Sequence, residues 1–363
     1  MPLRTHSASP YMQFAKLRSG AKYNLAASGV MGYPLAGLPV RLEDLEINGP
    51  TLYGYDPLLE RLARLNAVSK DCVATAAGTS MANHLAFAAT LEPGDEALVE
   101  SPTYELLVTT LEYLGVNVRH FERRLEDGFR VDPDDLERKL TPQTRMIVLT
   151  NLHNPTSVLI DDASLQAVGE LAEKHGAYVL VDEVYLEALY DQRPRPAVHL
   201  GEHFLVTSSL TKAYGLSGVR CGWVLANLEL VQRMRLINDL YGVYAPTVAD
   251  QLSVIALDNL ERVAARARQL LQTNRPALDD FLRSRDDLEY VRPEFGTIAF
   301  PRLLGGTVEE LDRLLREKYE ASIVPGKYFG MPQHFRIGIG GDPAMTRQGL
   351  QRLASALDEM RRH

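Results

Sequence analysis

Cysteine is scarce in this 363-residue chain: Cys72 and Cys221 are the only two, too few to imply a disulfide framework. No apolar run approaches the roughly 20 residues of a membrane span. Residues 1–20 carry basic side chains but no apolar segment of the kind a secretory signal needs. The expectation is a cytoplasmic protein with no membrane partner. Positive charge is also in deficit: 39 Lys and Arg against 47 Asp and Glu leave a net charge of -8, which argues against a nucleic-acid surface. Internal repeats and low-complexity tracts are missing. So is a G-x-G-x-x-G after a strand-like run, and this disfavours a dinucleotide-binding dehydrogenase. What is there is an ordinary globular composition, 45% hydrophobic and 24% charged. The length suits about two domains at ~150 residues each, with ample material for a core.

From residue 72 onward, short apolar runs alternate with helical periodicity. Strand-like runs fall at 72–77, 96–100, 146–151, 178–182, 204–208 and 221–225, and helices at 81–91 and 162–175. The second helix has Asp161 or Asp162 as N-cap and Gly176 as its stop signal. This alternation predicts an α/β fold, a mostly parallel sheet covered by helices on both faces. Ligands bind such sheets beyond the carboxyl ends of the strands, where Thr79, Asn154, Asp182 and Ser209 fall. From about Leu252 the texture changes. A long basic and apolar helix (261–283) precedes an extended stretch (288–301), a helix (308–319), a strand (335–339) and a closing helix from Met345. This predicts a smaller α+β domain. The expected division is an N-terminal arm at 1–41, a large domain at 42–250 and a small C-terminal domain at 251–363. Gly29, Gly32 and Pro34 suggest that the arm is irregular, packing with the small domain or reaching a partner subunit.

Lys212 ends the run Ser208-Ser209-Leu210-Thr211-Lys212, and Arg220-Cys221-Gly222-Trp223 follows it. Most lysines are solvated surface charges. One that stands just past a buried strand, among hydroxyls and an arginine, suits an aldehyde cofactor with a phosphate tail. The amine would bind the aldehyde, and the hydroxyls and guanidinium the phosphate. Asp182, at the end of a strand, reads either as the N-cap of the next segment or as a carboxylate facing a pyridine nitrogen. Tyr185 is a core residue or a donor to the cofactor's phenolate oxygen. Asn151-Leu152-His153-Asn154-Pro155-Thr156 is a turn, or presents Asn154 as a second such donor; His153 reads as structural. Gly78-Thr79-Ser80 is an ordinary helix start, or an anion site with free N–H groups, two hydroxyls and the positive end of the helix dipole. Ser209 and Arg220 would complete that cup. Tyr104 is a surface aromatic or stacks on a planar ring. Arg336 lies inside an apolar strand, a costly position unless paired; an internal carboxylate or a substrate carboxylate would serve.

The order and spacing of these pieces resemble the class I/II aminotransferases, the fold-type-I pyridoxal-phosphate (PLP) enzymes similar to aspartate aminotransferase. The resemblance runs from about Gly29 to the C-terminus. It rests on Gly-Thr-Ser, Pro-Thr-Tyr, Asn-Pro-Thr, Asp-Glu-Val-Tyr, then Ser-x-x-Lys with an arginine eight residues on, and the late Arg336. It implies an enzyme in which Lys212 carries pyridoxal 5'-phosphate as a Schiff base and later moves the proton. It implies that Asp182 pairs with the ring nitrogen and that Asn154 and Tyr185 bind the ring oxygen. Gly78, Thr79, Ser80, Ser209 and Arg220 would form the phosphate cup, and Tyr104 would stack on the ring. Arg336 would clamp the substrate α-carboxylate, with Gly29 in the loop that covers it. The implied partners are an amino acid, a 2-oxo acid and, in a homodimer, a second subunit. Two departures stand out. Ser157 replaces the usual glycine after Asn-Pro-Thr. The tyrosine that the family sends to the neighbour's phosphate corresponds to Tyr53, Tyr55 or, in another register, Asn48.

Transamination by a ping-pong route is the function this resemblance implies first. Elimination, replacement or cyclisation on an amino acid uses the same residues and stays open. A PLP-binding regulator would carry a DNA-binding region, which the acidic charge and the short stretch before Gly29 disfavour. Tyr241, Tyr244 and Phe300 line a specificity pocket or belong to the core.

Overall fold

The computed structural model describes residues 8–49, 52–243 and 245–362. Its centre is one sheet of seven strands: β1 (Val73–Ala77), β2 (Glu96–Ser101), β3 (Asn117–Glu122), β4 (Thr144–Thr150), β5 (Tyr178–Asp182), β6 (Phe204–Ser209) and β7 (Cys221–Leu225). Their order is β1-β7-β6-β5-β4-β2-β3. All pairs are parallel except those of β7, which runs against both neighbours. The reason lies in the connection: residues 210–220, between β6 and β7, contain no α-helix, and a parallel return needs a long crossover.

The inner strands are apolar in their middle stretches because helices cover both faces. Val179, Val181 and Val206 pack to one side with Leu58, Leu62 and the helix Asp162–His175. Leu180, Leu205 and Val224 pack to the other with the helix Thr79–Thr90 and Leu230, Val231 and Met234. Asp161 caps the 162–175 helix by accepting from Ser164 N at 2.8 Å, and Gly176 ends it at φ 64°. Strand β3, Asn-Val-Arg-His-Phe-Glu, escapes the apolar-run criterion. It lies at the sheet edge and only Phe121 is buried, so charged side chains suit it.

A second core gathers the chain's two ends. Tyr23, Leu25 and Val30 pack with Leu278, Leu311, Phe335 and Leu353, and Tyr23–Asn24 pairs in parallel with Ala321–Ser322. Three short antiparallel strands (Ile298–Ala299, Phe335–Gly338 and Val324–Pro325) lie beside the helices Val308–Lys318 and Pro343–Met360. The closing helix starts two residues before Met345, where Asp342 caps it. The expected extended stretch 288–301 is mostly loop, with strands only at Leu288–Glu289 and Ile298–Ala299. The helix Leu260–Arg283 joins the two cores: Val263 and Ala264 pack on the sheet, Leu271 and Leu278 on the second cluster. Among the described residues no helix is long and apolar enough to cross a membrane.

Candidate active site

Ten of the twelve candidate residues line one cavity of about 470 Å³ at the carboxyl ends of β4, β5 and β6: Gly29, Thr79, Ser80, Tyr104, Asn154, Asp182, Tyr185, Ser209, Lys212 and Arg220. Gly78 and Arg336 do not line it: Gly78 adjoins Arg220, and Arg336 bonds Asn154. The sheet register explains the convergence. Thr150, Asp182 and Thr207 lie level across β4, β5 and β6, so the residues just beyond them emerge on one edge.

Lys212 Nζ donates to Ser28 Oγ at 2.9 Å. The arm runs so close here that Val30 N donates to Lys212 O at 2.8 Å. A Cβ on Gly29 would stand 3.0 Å from that oxygen and 3.1 Å from Lys212 Cα, which is why glycine occupies the position. Asp182 is buried. Its carboxylate accepts from Asn83 Nδ2 at 2.9 Å and Val184 N at 3.1 Å. Burial pushes its pKa up to about 6, opposed by those two hydrogen bonds and by the charge of Lys212. Asn83 in turn accepts from Thr207 Oγ1 at 2.5 Å. This asparagine was not among the sequence candidates. Its signal was there: an amide one turn after Thr79, with the apolar Ala82, Leu85 and Ala86 around it.

At the start of that helix, Gly78 takes φ 82° and no side chain caps the N-terminus. Thr79 Oγ1 is buried with no partner. Arg220 Nη2 donates to Ala77 O at 3.0 Å, and a Cβ on Gly78 would meet that nitrogen at 2.1 Å. An uncapped helix end, an orphaned hydroxyl and a guanidinium share one small space, an arrangement that favours an anion. The fit to a phosphate group is good on those grounds. Among the described residues, no cluster of His, Cys, Asp and Glu is arranged for a metal ion.

Arg336 is 1% exposed. Its Nη1 donates to Asn154 Oδ1 at 3.0 Å, its Nη2 to Tyr11 OH at 2.9 Å and to Ala26 O at 3.4 Å, and its Nε has no partner. Among the described residues no carboxylate pairs with it, so the internal ion pair that would offset its burial is missing. By accepting from Arg336, the Asn154 oxygen leaves the amide nitrogen as the donor on its other side. Asn154 N itself donates to Thr150 Oγ1 at 3.0 Å, and Thr150 rests on Glu100, which forms a fully buried ion pair with Arg123 at 2.7 Å. Burial pushes the Tyr104 hydroxyl well above the usual phenol range, so the ring presents a neutral face.

Other sequence candidates lie elsewhere. Phe300 is buried among Phe129, Phe329 and His334, so it is a core residue. Tyr241 is exposed beside a neighbouring cavity and meets His84 edge-on. Tyr244 lies outside the described residues. His153 is buried, bonded to Thr156 Oγ1 at 2.6 Å and Pro102 O at 2.8 Å, and burial holds its pKa well below the usual value; its role is structural. Of the three candidates for a cross-subunit contact, Asn48 and Tyr53 are exposed, and Tyr55 packs partly on the sheet core.

The model of the family described as aminotransferase class I and II matches residues 47–355. Capreomycidine synthase of Streptomyces vinaceus is 28% identical, over 93% of this chain and 90% of its own. Aspartate/prephenate aminotransferase of Thermus thermophilus is 27% identical, over 94% and 87%. The crystal structure of a PLP-dependent aminotransferase from Streptococcus suis superposes with a TM-score of 0.89 at 25% identity, covering 96% of both chains.

Proposed function

The chain belongs to the class I and II aminotransferases, and from that premise we propose that it moves an amino group from an amino acid to a 2-oxo acid with pyridoxal 5'-phosphate held on Lys212. One observation carries the reading. The cavity that the Lys212 amine opens on has an anion-seeking corner in the uncapped helix end with Arg220, and the buried Arg336, without a carboxylate partner among the described residues, bonds Asn154 and Tyr11 of its lining.

In this reading Gly78, Thr79, Ser80, Ser209 and Arg220 would hold the phosphate. Asp182 would pair with the ring nitrogen, Asn154 and Tyr185 would donate to the ring oxygen, and Tyr104 would cover a ring face. When bound, the cofactor supplies an electron sink for the charge that develops at the substrate Cα. Asp182, held on both oxygens by Asn83 and Val184, keeps a negative charge aimed at that nitrogen. Arg336 draws in the α-carboxylate and turns the Cα proton toward Lys212. Lys212 Nζ would take that proton and return it.

The test is a spectral screen of the purified holoenzyme. Adding a donor amino acid should remove the visible absorbance, and adding a 2-oxo acid should restore it. No change with any amino acid would sink the reading. A second reading, elimination or ring closure on an amino acid, draws on the 28% identity with capreomycidine synthase. Ammonia, or a cyclised product, formed without any 2-oxo acid acceptor would favour it.

A homodimer belongs to the same proposal. Leu52, Tyr53, Tyr241 and Val243 are exposed apolar side chains around a cavity of about 600 Å³ that Arg220 also lines. A second copy covering this face would bring Asn48, Tyr53 or Tyr55 to the phosphate cup. The proposed division is an arm at 1–41, a cofactor-holding unit at 42–250 and a smaller unit at 251–363; two separate cores support two units, with Ala256, Val263 and Ala264 packing on the first of them. A cytoplasmic setting accords with two free cysteines.

A further inference from the structure

One aromatic hydroxyl in the cavity has no task in the reading above. Tyr11 stands in the helix Pro10–Leu17 and its side chain is buried. The helix is pinned to the large sheet unit through Glu105, which accepts from Ser9 Oγ and, at 3.0 Å, from Tyr11 N. The ring meets Tyr104 edge-on with centroids 5.6 Å apart. The hydroxyl accepts from Arg336 Nη2 at 2.9 Å. Among the described residues, nothing accepts the proton that the hydroxyl itself carries. Tyr11 lines the cavity that Lys212 lines.

A phenol accepts and donates at once. Its oxygen is a weak partner for a fully buried guanidinium, and it leaves Arg336 Nε bare. A carboxylate oxygen that bonds the Nη2 end of this guanidinium, where the Tyr11 hydroxyl sits, comes within reach of the Tyr11 proton. We propose that Tyr11 is a carboxylate-binding residue of the substrate site, donating to the same carboxylate that Arg336 attracts. The N-terminal helix then forms one wall of the site, and the substrates are carboxylic acids recognised by a guanidinium and a phenol together. The inference rests on the reading of Arg336 as the carboxylate clamp.

Tyr11→Phe removes the hydroxyl and keeps the ring contact with Tyr104. The probes are propionate, which carries the carboxylate without a reactive amine, and propionamide, which is its neutral counterpart. Calorimetric titration of the purified holoenzyme should show propionate bound about 10- to 100-fold more weakly by Y11F than by the parent, the loss of one hydrogen bond to a charged group. Propionamide affinity and cofactor content should stay as in the parent, and Tm should fall only by the loss of one acceptor from Arg336. Equal propionate affinity in the two proteins overturns the proposal. So does a Y11F protein that loses amide binding and Tm along with propionate, because the hydroxyl is then only a prop for Arg336. These titrations need no turnover. If amino acids leave the absorbance unchanged, amino transfer falls while the Tyr11 result still stands or falls on its own.

Discussion

Ser157 occupies φ 64°, a backbone region that favours glycine, at the position where the family usually has one. The serine has its own reason to be there: Oγ donates to Ile298 O at 2.9 Å, tying the Asn154 turn to the second core, and Gly296 leaves room for it. Ser157→Gly relieves roughly 1 kcal/mol of left-handed strain but strands a buried carbonyl at a cost of about 1–3 kcal/mol. Ser157→Ala keeps the strain and loses the bond. Urea unfolding should therefore rank the parent first, S157G second and S157A last. A different kind of residue effect sits at Glu183, whose carboxylate accepts from Ala197 N at 2.8 Å. Burial pushes its pKa up to about 8, against the pull of that hydrogen bond and of Arg193. The folded value is above the unfolded one, so its contribution to stability is full below about pH 4.5 and is lost as pH rises toward 8. The slope is about 1.4 kcal/mol per pH unit. Glu183→Gln cannot ionise. Its stability relative to the parent should grow from pH 5.5 to 8, and parallel curves would mean that Glu183 is already charged in the fold.

At the scale of elements, the junction of β1 with the 79–90 helix carries the most chemistry in the least space. Gly78 lets the helix start against Arg220, and Gly222 on β7 lets the two backbones touch, since a Cβ there would meet Gly78 C at 2.4 Å. Gly78→Ala adds a methyl 2.1 Å from Arg220 Nη2, so the guanidinium has to leave the cup. Affinity for pyridoxal 5'-phosphate should fall about 10- to 100-fold, while affinity for pyridoxal, which lacks the phosphate, should change little. Equal losses for both would place Arg220 outside the anion site. Most of these elements are legible in the sequence. β4, β5 and β6 carry apolar runs ahead of their polar ends, β7 is apolar along its length, and the 162–175 helix has its cap and its glycine stop. β3 is not legible, because an edge strand is selected to look polar.

The whole molecule adds the surface that one chain leaves open. Leu52 and Tyr241 are 62% and 60% exposed, and both border the cavity next to the phosphate cup. Light scattering should give about twice the 40.4 kDa chain mass. Tyr241→Asp should shift the population toward the monomer and weaken cofactor binding, with far-UV circular dichroism unchanged; a parent protein running as a monomer would remove the dimer from the proposal. Along the chain, the order of short apolar strands was enough to reach the α/β fold and the polar groups at their ends Thr79, Asn154, Asp182 and Ser209, because both signals are local: a strand and the turn after it are written within a few residues; Gly29 came only with the resemblance to the aminotransferases. Asn83, Ser28 and Tyr11 escaped that reading. Their partners lie 99, 184 and 325 residues away, and no periodicity or spacing encodes a hydrogen bond that exists only once the arm, the sheet and the second core have packed together.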